Sequence, residues 1–220
     1  MSRLIVIGGS DQGRQVLDAI VAEGAHEPVG VLDRSLARGD DVAGVPVLGT
    51  DADLPACAAH TGADHFVVAI GDNATRGRLL EHSAAAAPHL TPATIVHPAA
   101  VLSDDATIGA GSIVLAGAVV GNACRLGRGV LLGIRSSVDH DGVVADHASL
   151  GPGATTGGHV HLGRATAVGL GASVIHGVTI GDDTVIGAGA VVVDDVPDRV
   201  VAYGVPARVA RNRQPGEAYL

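Results

Sequence analysis

From residue 136 to residue 147 the chain reads SSVDHDGVVADH, which places His140 between Asp139 and Asp141. An imidazole titrates near neutral pH, and an adjoining carboxylate can fix its tautomer and stabilise its protonated form. The trio therefore suits a general base, a metal ligand or a solvated surface, and the surrounding structure must decide. A second candidate is Gly8-Gly9-Ser10-Asp11-Gln12-Gly13, a glycine-rich turn between the apolar run Leu4–Ile7 and a stretch of helical spacing from Arg14 to Ala22. Backbone N–H groups at such a turn, together with the helix dipole, attract an anion and commonly a phosphate. Asp33 follows Gly13 by twenty residues, as in a dinucleotide fingerprint, but Ser10 stands where the middle glycine of G-x-G-x-x-G belongs. A third candidate is the basic cluster Arg208, Arg211 and Arg213.

The elements that hold these groups are legible from period. Stepping by six from Val96 gives Val96, Leu102, Ile108, Val114, Val120, Leu126, Leu132, Val138 and Val144, then Leu150, Thr156, Leu162, Val168, Val174, Ile180, Ile186 and Val192. Only Thr156 breaks the aliphatic rule. Two residues before each sits a small or short side chain, and glycine often follows. A period of six fits neither a helix nor a hairpin meander; it fits a parallel β-helix in which each hexapeptide supplies one flat side and one corner. His140 falls two residues after the inward Val138 and so points out of the coil.

Upstream of the ladder the pattern is different. Pro28–Leu32 and His65–Ile70 read as further strands, ending at Asp33 and at Gly71-Asp72-Asn73, and Thr75–His82 reads as a helix. These alternating units predict a small Rossmann-like α/β domain with a parallel sheet, whose ligand edge lies where the strands end. It is too short to hold the second half that would cradle a nicotinamide, so a nucleotide or nucleotide sugar is the expected ligand. Pro88-His89-Leu90-Thr91-Pro92 is the expected irregular connector. The division is residues 1–92 for the α/β domain, 93–213 for the β-helix with its extension, and 214–220 for a tail.

Composition narrows the partners. The formal net charge of −9 argues against nucleic acid, and any anionic ligand requires a local basic cluster. With Phe66, Tyr203 and Tyr219 as its only aromatic residues, the chain must build its core from Val, Ile, Leu and Ala. Cys57 and Cys124 fit neither a disulfide framework nor a metal spacing and read as buried small hydrophobes. The opening MSRLIVIGGS lacks the length of a signal peptide, and no apolar stretch approaches the roughly 20 residues of a membrane span. A soluble, cytoplasmic protein without membrane insertion is expected.

The ladder resembles the hexapeptide-repeat acyltransferases, and a left-handed coil and a trimer come with that resemblance. Adding the glycine loop, Val31-Leu32-Asp33, Ile70-Gly71-Asp72-Asn73 with Arg76, Val138-Asp139-His140-Asp141 and Gly204-Val205-Pro206-Ala207-Arg208 extends the likeness from residue 3 to residue 210. Over that span the chain resembles the sugar O-acyl/N-acetyltransferase family, which includes bacterial nucleotide-sugar 4-amino N-acetyltransferases and sialic acid O-acetyltransferases. The resemblance implies a homotrimer that uses acetyl-CoA as co-substrate, bound between neighbouring coils, and acetylates a nucleotide-linked amino sugar held by the N-terminal domain. It implies Ser10, Asp33, Asp72, Asn73 and Arg76 around the sugar nucleotide. It further implies Gly158 as a backbone donor near the thioester carbonyl and Gly169 and Leu170 as a wall for the pantetheine arm.

Acetyl transfer by direct attack needs a base, an oxyanion donor and alignment, with no covalent enzyme intermediate. His140 takes the first role, with Asp141 as its carboxylate partner. Arg208, in the terminal motif, supplies charge for the CoA phosphates. O-acetylation of a sugar hydroxyl, of the sialic acid type, and a non-catalytic nucleotide-sugar-binding homologue are the alternatives. The chain departs from the family pattern at Asp11-Gln12, at Gly133 to Arg135, at Gly142 and at Ser149. Hexapeptide β-helices also include zinc-type carbonic anhydrases, with histidines two coils apart and a third five residues later. His140 and His176 are 36 apart, but residue 181 is glycine, so no metal is expected. His147, His159, His161 and His176 read as exposed coil residues.

Overall fold

The apolar run at the N-terminus forms β1 (Ser2–Ile7), and the glycine turn after it opens α1 (Asp11–Glu23). There follow β2 (His26–Leu32), β3 (Asp41–Val42), β4 (Val45–Gly49), α2 (Leu54–Thr61), β5 (His65–Val68), α3 (Asn73–Ala86) and β6 (Thr91–Pro92). This is a computed structural model, and it describes residues 1–219. The six strands form one sheet in the order β3-β4-β2-β1-β5-β6, parallel except for the β3–β4 pair. A parallel sheet must be covered on both faces. Leu4, Val6 and Val67 meet Val16, Leu17 and Ile20 of α1 on one side, while Ile5, Ile7, Phe66 and Val68 meet Leu54 of α2 and Leu80 of α3 on the other.

Residues 88–92, expected to be irregular, contain a strand. Thr91 and Pro92 pair with His65 and Phe66 at the sheet edge, through Thr91 N–H to Asp64 O and Ala93 N–H to Phe66 O. Proline is admissible there because an edge position leaves its missing N–H on the unpaired side.

The six-residue period then takes shape as seventeen two-residue strands, β7 (Ile95–Val96) through β23 (Val191–Val192), distributed over three parallel sheets. Pairing advances by eighteen residues, so Ile95 lies beside Ile113, then Leu131, Ser149, Ala167 and Val185. Three hexapeptides thus make one turn of a left-handed β-helix. The inward residues from Val114 to Val192 form a continuous core, and Thr156, the break in the ladder, is buried among them. Ile95, Ile113, Leu115 and Leu131 belong instead to the core that α1 completes, so the first sheet of the β-helix and the α/β domain share apolar packing.

The terminal motif forms a hairpin of β24 (Val200–Gly204) and β25 (Ala207–Asn212), with a cis Val205–Pro206 bond at its turn. Beyond it the chain folds back to the joint between the domains, where the Tyr219 hydroxyl donates to Gly71 O at 3.3 Å. Cys57 and Cys124 are buried and unpaired. Among the described residues no helix is long and apolar enough to cross a membrane.

Candidate active site

His140 stands at the corner between the second and third sheets of the coil, after the strand Ser137–Val138 and before Val143–Val144. The eighteen-residue repeat stacks Asn122, His140, Gly158 and His176 at one position of this corner, and Ala123, Asp141, His159 and Gly177 at the next. Backbone bonds tie the turns together: Asp141 N–H donates to Asn122 O at 2.8 Å, and His159 N–H to His140 O at 2.9 Å. Gly158 lies beneath the imidazole, and a Cβ there would collide with its Cε1 and Nε2. The ring can occupy this place only because the coil below it offers bare backbone.

Two carboxylates orient the histidine. Asp139 Oδ1 accepts from the His140 N–H at 2.8 Å, and Asp141 Oδ2 lies 2.9 Å from His140 Nδ1. With Nδ1–H directed at Asp141, the lone pair resides on Nε2. The Asp141 hydrogen bond raises the imidazole pKa, and the same contact holds the carboxyl below its ordinary value. Both side chains are 47% exposed, open to an incoming substrate.

Thr156, one coil below Val138, accepts from the Asp139 N–H at 3.4 Å through its hydroxyl. The single polar residue of the aliphatic ladder thus props the loop that carries His140. Its departure from the ladder was the available signal, but its target lies 17 residues away and emerges only with the register. His159 was also passed over: its ring meets that of His140 edge-on at 5.1 Å, and its Nε2 is 3.7 Å from Asp141.

In the α/β domain the glycine turn is built as expected. Gly13 must lack a side chain because a Cβ would strike Gly8 O. Asp33 Oδ2 accepts from Gly9 N–H at 2.7 Å, and its Oδ1 accepts from the N–H and hydroxyl of Ser35. Partial burial works against ionisation of Asp33, but these donors outweigh it and hold its pKa low. Asp33 borders a cavity of about 260 Å³ with Gly8, Ser35, Thr75 and the ion pair Arg34–Asp51, two residues the sequence did not single out. Ser10 is the exposed N-cap residue of α1, and Asp72 caps α3 through Thr75 N–H.

Arg76 and Asn73 require correction. Arg76 is 1% exposed, and every donor atom of its guanidinium is already engaged. Nε donates to Gly129 O, Nη1 to Ile70 O and Gly71 O, and Nη2 to Asn73 Oδ1, His147 O and Ala148 O. Burial lowers its pKa to about 10. Asn73 Nδ2 donates to Ala165 O at 3.1 Å and Thr166 O at 3.0 Å. These two residues bolt α3 to the β-helix; Arg76 has no donor left for a phosphate. His147, expected on the surface, is likewise buried, against Gly77 and Gly129.

Gly169 and Leu170 occupy a different corner, between the first and second sheets, where Leu170 is 60% exposed. They line a groove of about 450 Å³ that runs along the first sheet to Gln12, Gly71 and Tyr219 at the domain joint. Within one chain, therefore, the groove meets the N-terminal domain while His140 and Gly158 lie one corner away. Arg208 is exposed and 3.3 Å from Asp194; Arg211 is paired with Glu217, and Arg213 is buried against Asp183.

The PglD N-terminal domain model matches residues 3–82. Comparison with curated proteins gives no match. Among solved structures, a histidine-to-alanine variant of GDP-perosamine N-acetyltransferase from Caulobacter crescentus, in complex with CoA and GDP-perosamine, is 35% identical. The match covers 96% of this chain and 98% of that one, with a TM-score of 0.90. The acetyltransferase domain of PglB from Neisseria gonorrhoeae, in complex with acetyl coenzyme A, is 32% identical over 94% and 98% of the two chains, with a TM-score of 0.87. WeeI from Acinetobacter baumannii is 25% identical over 96% and 100%, with a TM-score of 0.86.

Proposed function

The chain belongs to the sugar N-acetyltransferase family, and on that premise we propose that it carries acetyl from acetyl-CoA to the amino group of a nucleotide-linked amino sugar, with His140 as general base. One observation carries the reading: His140 is held by Asp141 through Nδ1, lies on the bare backbone of Gly158, and keeps Nε2 for a substrate proton. As the amine attacks the thioester carbonyl, Nε2 takes its proton, Asp141 stabilises the imidazolium, and the C–S bond breaks to release CoA. Charge gathers on the carbonyl oxygen in the transition state, where a fixed backbone donor is most effective. The Gly158 N–H fills that role; it makes no hydrogen bond among the described residues.

The separation of the parts supports a homotrimer. The groove beside Gly169 and Leu170 opens toward the chain's own N-terminal domain, and His140 points from the next corner, so a complete site takes the base from one copy and the groove from another. Ser10, Asp33 and Asp72 surround the sugar nucleotide at the domain's strand ends, and Arg208 meets the CoA phosphates. The relatives bound to CoA, GDP-perosamine or acetyl coenzyme A support both ligand classes.

A panel of UDP-, GDP- and dTDP-linked amino sugars incubated with acetyl-CoA tests this directly. One nucleotide series is expected to gain a single acetyl mass with matching release of CoA thiol. Acetylation of hydroxyl-bearing sugars alone, or of no acceptor, contradicts the reading.

A further inference from the structure

We propose that the His140 corner also binds a divalent transition-metal ion of the zinc type, and that the bound ion switches acetyl transfer off. The second part rests on His140 being the base; the first does not. One nitrogen of His140, one of His159 and one carboxylate oxygen of Asp141 lie within 4.8 Å of one another, and all three residues are exposed. Asp141 Oδ2 is 2.9 Å from His140 Nδ1 and 3.7 Å from His159 Nε2. Those separations bracket the edge of a tetrahedron of zinc ligands, about 3.4 Å for bonds of roughly 2.0–2.1 Å.

Two imidazoles and a carboxylate form a donor set of open zinc sites, in which water fills the fourth position. The coil fixes the spacing, since His159 N–H is bonded to His140 O and the two turns cannot drift apart without breaking the ladder. His176 adds an imidazole 5.2 Å from that of His159. His140 and His176, two coils apart, lack a third histidine because residue 181 is glycine. Stacking instead assembles a site from adjacent coils, at separations of 18 and 19 residues.

Coordination and catalysis exclude each other at this imidazole. A metal on Nδ1 leaves the proton on Nε2, and a metal on Nε2 occupies the lone pair itself. Either way no base remains. Imidazole ligands favour zinc, nickel and copper over magnesium, so inhibition should follow that preference.

The test is calorimetric titration of the full-length protein with ZnCl2, for wild type and His159→Asn, with MgCl2 as control. One zinc per chain is expected for wild type, with affinity lower in His159→Asn by on the order of 10–100-fold, a loss that even outer-layer partners of a metal can produce. Zinc should inhibit transfer at the same midpoint as binding, with reversal by EDTA, while His159→Asn keeps its melting temperature and, relative to its own metal-free rate, escapes inhibition by the same factor. Absence of saturable zinc binding, or equal affinity in the variant, overturns the site. Binding without inhibition overturns the switch. Failure of any acceptor to be acetylated instead counts against His140 as base, because the calorimetry does not depend on turnover.

Discussion

At Gly158 a single methyl group is enough to disturb the base. Alanine there would push the His140 ring off the backbone on which it rests while leaving Asp141 in place. Reaction rates are steep in the placement of the base, and a displacement of about 1 Å can cost ~100-fold. Gly158→Ala is therefore expected to lower kcat by about that factor, with acetyl-CoA affinity and the melting curve near wild type; equal loss of kcat and of cofactor binding would point to a damaged coil instead. The neighbourhood was partly legible. A histidine between aspartates announces a base in its own letters, because the partner carboxylates are adjacent in sequence. Thr156 and His159 act across coils, so their meaning waited for the eighteen-residue register.

Among the elements, α3 shows best what sequence could not supply. Its polar Asn73 and Arg76 look like ligand-binding groups, but which face of a helix meets another domain is a property of docking, and here that face is the polar one. The same docking buries His147 between α3 and the coil. Burial is the main cause of its lowered pKa, Arg164 and Arg76 push the same way, and Asp146 and Glu81 oppose them. Folded His147 thus resists protonation, while the unfolded side chain titrates near 6.5. Above that pH both states are neutral and the native contacts keep their full stability. As pH falls below it the unfolded chain takes up a proton that the folded one refuses, and stability drops by up to about 1.4 kcal/mol per pH unit. Urea unfolding at pH 7.5 and 5.5 should show this loss in wild type and a smaller one in His147→Leu. Identical slopes would contradict it.

For the whole molecule, the coil was readable because every sixth residue repeats one physical requirement, and a parallel β-helix is the structure that stacks such positions. The α/β domain was readable from its alternating strands and helices and its glycine turn. Assembly came only by resemblance, since one chain's sequence does not say which of its corners face another copy. That matters because the groove and the base occupy different corners of one chain. Catalysis in this scheme depends on His140 removing the proton of the attacking amine. The most direct test is the acetyl-transfer rate of His140→Ala on the accepted amino sugar, measured beside its acetyl-CoA affinity and oligomeric mass. The predicted result is a rate about 10²–10⁴-fold lower, the usual worth of a positioned base, with affinity and mass unchanged. A rate within about threefold of wild type, under the same conditions, would contradict it.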